Sequence, residues 1–352
     1  MNIQQILEDA TAQEASDIFL IAGIPVTFKC NGRQTRTQTD LLMPELLEEL
    51  IREIYTLGHR DTRNLDQEID DDFSFSLSRL GRFRVNVFRQ RGSVAAVIRV
   101  IHFGLPDPVK LGIPESVLEL AEIKKGLVLI TGAAGTGKST TLACILDRIN
   151  QNRDGHIITM EDPIEYIHRH NRSIVTQREI SIDTPSYLDS LRSALRESPD
   201  VILLGEMRDY DTISAAITAA ETGVLLFSTL HTSSVSNTIN RILDVYPSNQ
   251  QQQVKIQLAQ ILKAVVCQQL VPTTDGGQTA VFEIMKTNTA IQNMIREDKL
   301  HQLDSAMQSG AAEGMCTMDG SLLKLYRAGT ITKDTALMCC VHYENMQKRL
   351  AL

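Results

Sequence analysis

Apolar residues follow two rhythms along the chain, and the change between them comes near residue 104. Before it, Ile3, Ile6, Leu7 and Ala10 share one face of a short helix, and Ser16–Ile21 and Val26–Cys30 read as strands around the turn Ala22-Gly23-Ile24-Pro25. A second helix spans about Met43 to Tyr55. Phe73–Leu77, Phe83–Phe88 and Val94–Ile101 then alternate as three strands joined by turns at Arg79-Leu80-Gly81 and Arg91-Gly92. This pattern predicts an α+β domain built on a meander with little parallel character. From Lys124 to about Thr287, short apolar runs alternate with amphipathic helices, the pattern of a parallel α/β sheet. Gly104-Leu105-Pro106-Asp107-Pro108 breaks both neighbours and reads as the linker. The chain therefore divides into an N-terminal domain at 1–103, a linker at 104–110, a core at 111–287 and a helical C-terminal region at 288–352.

At 352 residues, two domains with sizeable cores are available. The hydrophobic fraction of 43% and charged fraction of 22% are those of a globular protein. A net charge of -8 argues against nucleic acid as a partner. No apolar run approaches the about 18 residues of a membrane span, and Met1–Ala10 carries Glu8 and Asp9 but no basic residue, unlike a secretory signal. A cytoplasmic protein without direct membrane insertion is expected. Cys30, Cys144, Cys267, Cys316, Cys339 and Cys340 contain no C-x-x-C pair, so buried reduced thiols are expected and zinc is not. His168 and His170 lack metal-ligand partners at useful spacing and read as surface residues.

The core rhythm is organised around Gly132-Ala133-Ala134-Gly135-Thr136-Gly137-Lys138-Ser139, which matches G-x-x-x-x-G-K-[ST]. Leu127–Ile130 reads as the strand entering this loop. Thr140–Asn150, with Leu142, Ile145, Leu146 and Ile149 on one face, reads as the helix leaving it. That order points free N–H groups at phosphate, with Lys138 reaching the outer phosphates and Ser139 placed to ligate Mg²⁺. The nucleotide-binding set is Gly132, Ala133, Ala134, Gly135, Thr136, Gly137, Lys138, Ser139 and Thr140.

Three further strands end in polar groups: His156–Met160 before Glu161, Asp162 and Glu165; Val201–Leu204 before Glu206; and Val224–Ser228 before His231. In parallel sheets ligands bind at the carboxyl ends of strands, so these groups should share an edge with the phosphate loop. Glu206 fits a carboxylate that holds Mg²⁺ through water or orients the attacking water; its alternative is a strand-end carboxylate that faces solvent or caps the helix starting near Asp211. Spacing alone does not rank Glu161 against Glu165 as general base. His231 fits a γ-phosphate sensor, a link from the nucleotide to a neighbouring subunit, or a polar loop residue. Arg82 and Arg84 share a sheet face with Asn86, whereas Arg99 stands between apolar residues on both sides and should need a partner or an anionic ligand.

Thr159–Tyr166, Ser198–Asp209 and Thr222–Ser233 resemble, after the phosphate loop, the Asp box, Walker B and His box of the secretion ATPase superfamily of type II and type IV systems. Ala290–Glu297, similar to an AIRNxIRE helix, and Gly314–Asp319 followed by Leu322–Tyr326 make the PilT family of pilus retraction motors the nearest resemblance, over nearly the whole chain. The resemblance implies a PAS-like N-terminal domain, a RecA-like P-loop NTPase core with a helical C-terminal region, and a homohexameric ring with Mg-ATP between N- and C-domains. It gives Arg84 and Arg99 to the phosphates, Glu165 the role of general base, Glu206 that of Walker B and His231 that of the second His of its box. It further implies an inner-membrane pilus platform protein and the opposing extension ATPase as partners, at the inner face of the cytoplasmic membrane. Two positions depart from the family: Val224 stands where the first His of the box is usual, and Gln292 where Arg is usual. The competing readings are a pilus-extension or type II secretion motor, whose longer N-terminal region and four-cysteine insertion are not seen in this sequence, and a nucleotide-switched assembly protein with negligible turnover. DNA translocation is disfavoured by charge.

Overall fold

A computed structural model describes residues 2–30, 33–63, 65, 70–78, 80–101 and 104–351. The chain forms two compact units, Met1–Gly104 with Glu165–Ile167, and Leu105–Ile164 with His168–Leu352. Arg79 of the expected turn lies outside the described residues.

In the first unit, α1 (Ile3–Ala12) and α2 (Pro44–Leu57) are the two predicted helices, with Ile3, Ile6, Leu7 and Ala10 of α1 buried as their spacing requires. The six strands are β1 (Asp17–Leu20), β2 (Thr27–Cys30), β3 (Arg33–Arg36), β4 (Asp70–Leu77), β5 (Gly81–Gln90) and β6 (Ser93–Ile101). They form one sheet in the order β3-β2-β1-β6-β5-β4, and every ladder in it is antiparallel. Phe83, Val85 and Val87 on β5 and Ile98 on β6 join one core with the helix residues. The opposite face carries Arg82, Arg84, Asn86 and Arg99. Strand β3 was not foreseen because all four of its residues are exposed, leaving no apolar alternation to read.

In the second unit, residues 104–114 hold no helix or strand before the short α3 (Glu115–Leu118). The sheet strands are β7 (Gly126–Thr131), β8 (Gly155–Glu161), β9 (Ser173–Glu179), β10 (Val201–Leu204), β11 (Leu225–Leu230), β12 (Leu262–Pro272) and β13 (Gln278–Lys286), in the order β13-β12-β7-β11-β10-β8-β9. All neighbours are parallel except β13, which turns back antiparallel on β12. The expectation of a parallel sheet therefore fails at one edge, where a tight turn at Thr273–Gly277 replaces a crossover helix. The helices between strands are α4 (Lys138–Asn152), α5 (Tyr187–Ala194), α6 (Tyr210–Glu221), α7 (Val235–Asp244) and α8 (Ser248–Ile261). Alternation along β7 sends Leu127 and Leu129 into one core layer, with α6 and α7, and Val128 and Ile130 into the other, with α4. Beyond β13 come α9 (Thr289–Arg296), α10 (Leu303–Ser309), α11 (Met318–Arg327), α12 (Lys333–Cys339) and α13 (Tyr343–Leu350). In α9, Ile291 and Ile295 are buried and Met294 packs beside them, the stripe read from sequence.

Two side-chain expectations need correction. His168, expected at the surface, is buried, with an Nδ1 that has no partner among the described residues; burial lowers its pKa to about 4 and keeps it neutral. All six cysteines are free as expected, but four of them, Cys30, Cys316, Cys339 and Cys340, are half-buried rather than buried.

Candidate functional site

The parallel register brings four strand ends to one edge of the second sheet. Met160 of β8 pairs with Leu204 of β10, Leu204 with Ser228 of β11, and Leu230 of β11 with Thr131 of β7. Beyond the strands, backbone bonds continue the alignment: Gly205 N–H donates to Met160 O (2.8 Å), Met207 N–H to Thr229 O (3.2 Å) and Gly132 N–H to Leu230 O (3.2 Å). Glu161, Glu206, His231 and the phosphate loop thus follow from strand positions that are already in step, as the strand-end reading requires.

The loop runs from Gly132 to Gly137, and Gly137 caps α4 in the left-handed region at φ 86°. Lys138 is 8% exposed, and its ammonium donates to Gly132 O (2.9 Å) and Ala133 O (2.8 Å), folded over the loop it serves. Thr136 Oγ1 donates to Ala133 O at 2.9 Å. Among the described residues, the N–H groups of Ala133, Ala134 and Gly135 have no acceptor, which leaves them to an anion. Ser139 is half-buried in the first turn of α4, at the helix end that favours negative charge. These features fit a nucleotide phosphate. The donors fit Mg²⁺ as well: the Ser139 hydroxyl and the Glu206 carboxylate are hard oxygen ligands, and Mg²⁺ takes few protein ligands beside water and phosphate.

Glu206 has a side chain only 14% exposed. Its Oε1 meets Arg208 at 2.6 Å and its Oε2 meets His231 Nε2 at 3.3 Å. The capping alternative is excluded, because Asp209 caps α6 by accepting from Thr212 N–H at 2.9 Å. Glu161 accepts from Thr159 Oγ1 (2.6 Å) and Gln177 Nε2 (3.4 Å). Tyr187, missed in the sequence because a single tyrosine opening a helix belongs to no motif, places its hydroxyl beside Gly205. Its pKa is raised by burial and then by the charges of Glu206, Asp162 and Glu161, so the phenol stays protonated among these carboxylates.

Three other expected residues belong to the first unit. Glu165 is exposed and falls in Glu165–Ile167, grouped with the first unit. Arg84 and Arg99 face each other across β5 and β6 on the outer sheet face. Arg84 pairs with Asp72 (2.6 Å) and Arg99 with Asp17 (3.5 Å). Arg99 has its partner, but its side chain is 66% exposed, because its immediate neighbours Ile98 and Val100 point to the opposite face, into the core, and impose no burial on it. Val224 precedes β11, at the amino end of the sheet beside Lys124, Arg153 and Thr222. It is six strand residues, about 20 Å of extended chain, from His231. Val224 thus lies at the opposite end of β11 from the phosphate edge.

One buried carboxylate behind the site was also missed. Glu283 of β13 is 3% exposed, accepting from Val235 N–H (2.7 Å) at the start of α7 and from Met318 N–H (3.2 Å) at the start of α11. Burial raises its pKa. Helix α7 begins just after the His231 loop, so Glu283 joins that loop's exit to the C-terminal helices.

A family model described as type II/IV secretion system protein matches residues 1–328. The type IV pilus retraction ATPase PilT of Pseudomonas aeruginosa is 41% identical over 336 residues, covering 96% of this chain and 97% of that protein. The type IV pilus ATPase PilU of the same organism is 40% identical over 338 residues, covering 96% of this chain and 88% of that protein. Among solved structures, a crystal structure of the pilus retraction motor PilT with bound ADP matches with a TM-score of 0.89 at 45% identity, over 99% of each chain.

Proposed function

The chain belongs to the family of type II/IV secretion system proteins, and from that membership we propose that it is an ATP-hydrolysing motor powering type IV pilus retraction. The observation that carries the reading is the meeting of the phosphate loop, Glu206 and His231 along one edge of a parallel sheet, in a chain similar to a retraction motor solved with ADP.

On this reading Lys138 exchanges its two carbonyl acceptors for the outer phosphates, while the loop N–H groups and the amino end of α4 take the remaining negative charge. Mg²⁺ supplies charge neutralisation at the phosphoryl oxygens when bound, with Ser139 as a ligand and Glu206 as a partner through water. Glu206, held between Arg208 and His231, orients the attacking water, and Glu165 or Glu161 accepts its proton. His231, bonded to Glu206, links that carboxylate to the loop leading into α7. Arg84 and Arg99 are assigned to the phosphates on the resemblance. The first unit is then PAS-like and the second RecA-like, and the working assembly is a homohexamer acting on an inner-membrane pilus platform protein opposite an extension ATPase. Among the described residues no helix is long and apolar enough to cross a membrane, which suits a peripheral motor at the inner face of the cytoplasmic membrane.

Steady-state phosphate release tests the enzyme. Glu206→Gln should lower kcat by roughly a hundredfold while ADP still binds; wild-type protein with no turnover would favour the nucleotide switch. A deletion strain tests the direction of work: hyperpiliated cells support retraction, and bald cells support extension.

A further inference from the structure

Strand β12 lies beside β7, and its Cys267 pairs with Thr131 at the end of the ladder. The next residues therefore lie side by side at the base of the phosphate loop: Gly132, which leaves the sheet, and Gln268, which stays in β12 opposite Phe282 of β13. Gln268 is 3% exposed, although it belongs to no nucleotide-binding motif. Its backbone carbonyl occupies the space a Cβ on Gly132 would need, and Gly132 itself sits at φ 145°. Its side-chain Oε1 accepts from Thr141 Oγ1 at 2.7 Å, and Thr141 is fully buried in the first turn of α4. Its Nε2 would lie 3.0 Å from a Cβ on Gly137, the left-handed residue that caps α4. One side chain and its carbonyl thus touch the first glycine of the loop, the last glycine and the helix beyond.

We propose that Gln268 is a positioning residue for nucleotide binding, a clamp that fixes the distance between the two ends of the phosphate loop. The proposal rests on the nucleotide reading of this loop and adds a residue from a strand outside it. The chemistry favours an amide. Oε1 satisfies the Thr141 hydroxyl, which would otherwise be a buried donor without an acceptor. The neutral Nε2 sits against Gly137 without opposing phosphate, where a carboxylate would place negative charge beside the anion. The same hairpin reaches the C-terminal helices, because Cys267 pairs with Glu283 across β12 and β13. Loop shape and the joint at Glu283 therefore share one ladder.

The test compares full-length wild type, Gln268→Leu, Gln268→Glu, Thr141→Val and the Gln268→Leu/Thr141→Val pair. Affinity for a fluorescent ADP analogue is measured together with the melting temperature with and without ADP. Gln268→Leu and Thr141→Val should each weaken ADP binding about tenfold, and the pair should weaken it no further than the stronger single change. Gln268→Glu, which keeps the acceptor but adds charge, should weaken it more than Gln268→Leu. A purely structural glutamine would lower the nucleotide-free melting temperature while leaving affinity unchanged. That result, or additive losses in the pair, would overturn the proposal. Should Gln268→Leu fail to fold, Thr141→Val decides: wild-type affinity in that variant sinks the clamp. Wild type that does not bind ADP, or Lys138→Ala that binds it equally well, would instead sink the nucleotide reading itself.

Discussion

The phosphate-loop edge of the second sheet and the outer face of the first both present cations, and they hold them by opposite means. Lys138 is buried and bonded to two carbonyls of its own loop, so its position follows from the backbone. Arg84 and Arg99 stand opposite each other on β5 and β6, a like-charge pairing that costs stability, and each is balanced by a carboxylate, Asp72 or Asp17. Their positions follow from side-chain tethers near water, where an ion pair contributes little and breaks readily. A cation built into the backbone is preorganised for one ligand. A tethered one can be redirected at small cost.

The largest effect should come from the built-in side. Lys138→Ala is expected to lower phosphate release by roughly a hundredfold or more while circular dichroism and the melting curve stay near wild type; undiminished release would remove the loop from the active site. Next, Glu283→Leu leaves two helix-start N–H groups buried without their acceptor and should cost about 2 kcal/mol, read as a lower denaturant midpoint. If stability is unchanged, the joint between the His231 loop and the C-terminal helices is not structural.

On the tethered side, Arg99→Ala should shift stability by less than about 0.5 kcal/mol, since its ion pair is long and exposed. Any large drop in turnover in that variant then reports chemistry rather than folding. A tethered pair inside the second unit sharpens the contrast. His342 Nε2 lies 2.7 Å from Asp304 on α10, with Asp319 of α11 and Glu283 of β13 also facing it and Arg349 of α13 lining the same pocket. The Asp304 hydrogen bond raises the His342 pKa above its usual 6.5. Its stabilisation is therefore complete below that value and is lost as pH rises through the higher folded value. His342→Ala should lower the melting temperature more at pH 6 than at pH 8, by only a degree or so because the side chain is half exposed. An equal or opposite difference would show that the pair is not what titrates.

The legible parts of this protein are those in which one residue's role is set by its own neighbours in sequence. Helical spacing at Ile3, Ile6, Leu7 and Ala10, apolar runs such as Leu127–Ile130, and a glycine-rich loop between strand and helix all carry their signal locally. Strand-end position then placed Glu161, Glu206 and His231 at one edge, since parallel register keeps neighbouring strands in step. Strand β3, which buries nothing, and the reversal at β13, which depends on a turn, gave no such signal. Nor could sequence separate the two faces of β6 at Arg99, or see that His168 is enclosed.

By itself the sequence determined the two helices α1 and α2, the phosphate loop with its flanking strand and helix, the strand ends that carry Glu161, Glu206 and His231, and the family. Tertiary structure alone decided the long-range partners: Gln268 against Gly132, Gly137 and Thr141, Glu283 beneath two helix starts, Tyr187 among three carboxylates, and Asp17 beside Arg99. The physical reason is separation along the chain. Thr141 and Gln268 are 127 residues apart, so no local periodicity joins them, and only the pairing of β12 with β7 brings the amide to the loop it braces.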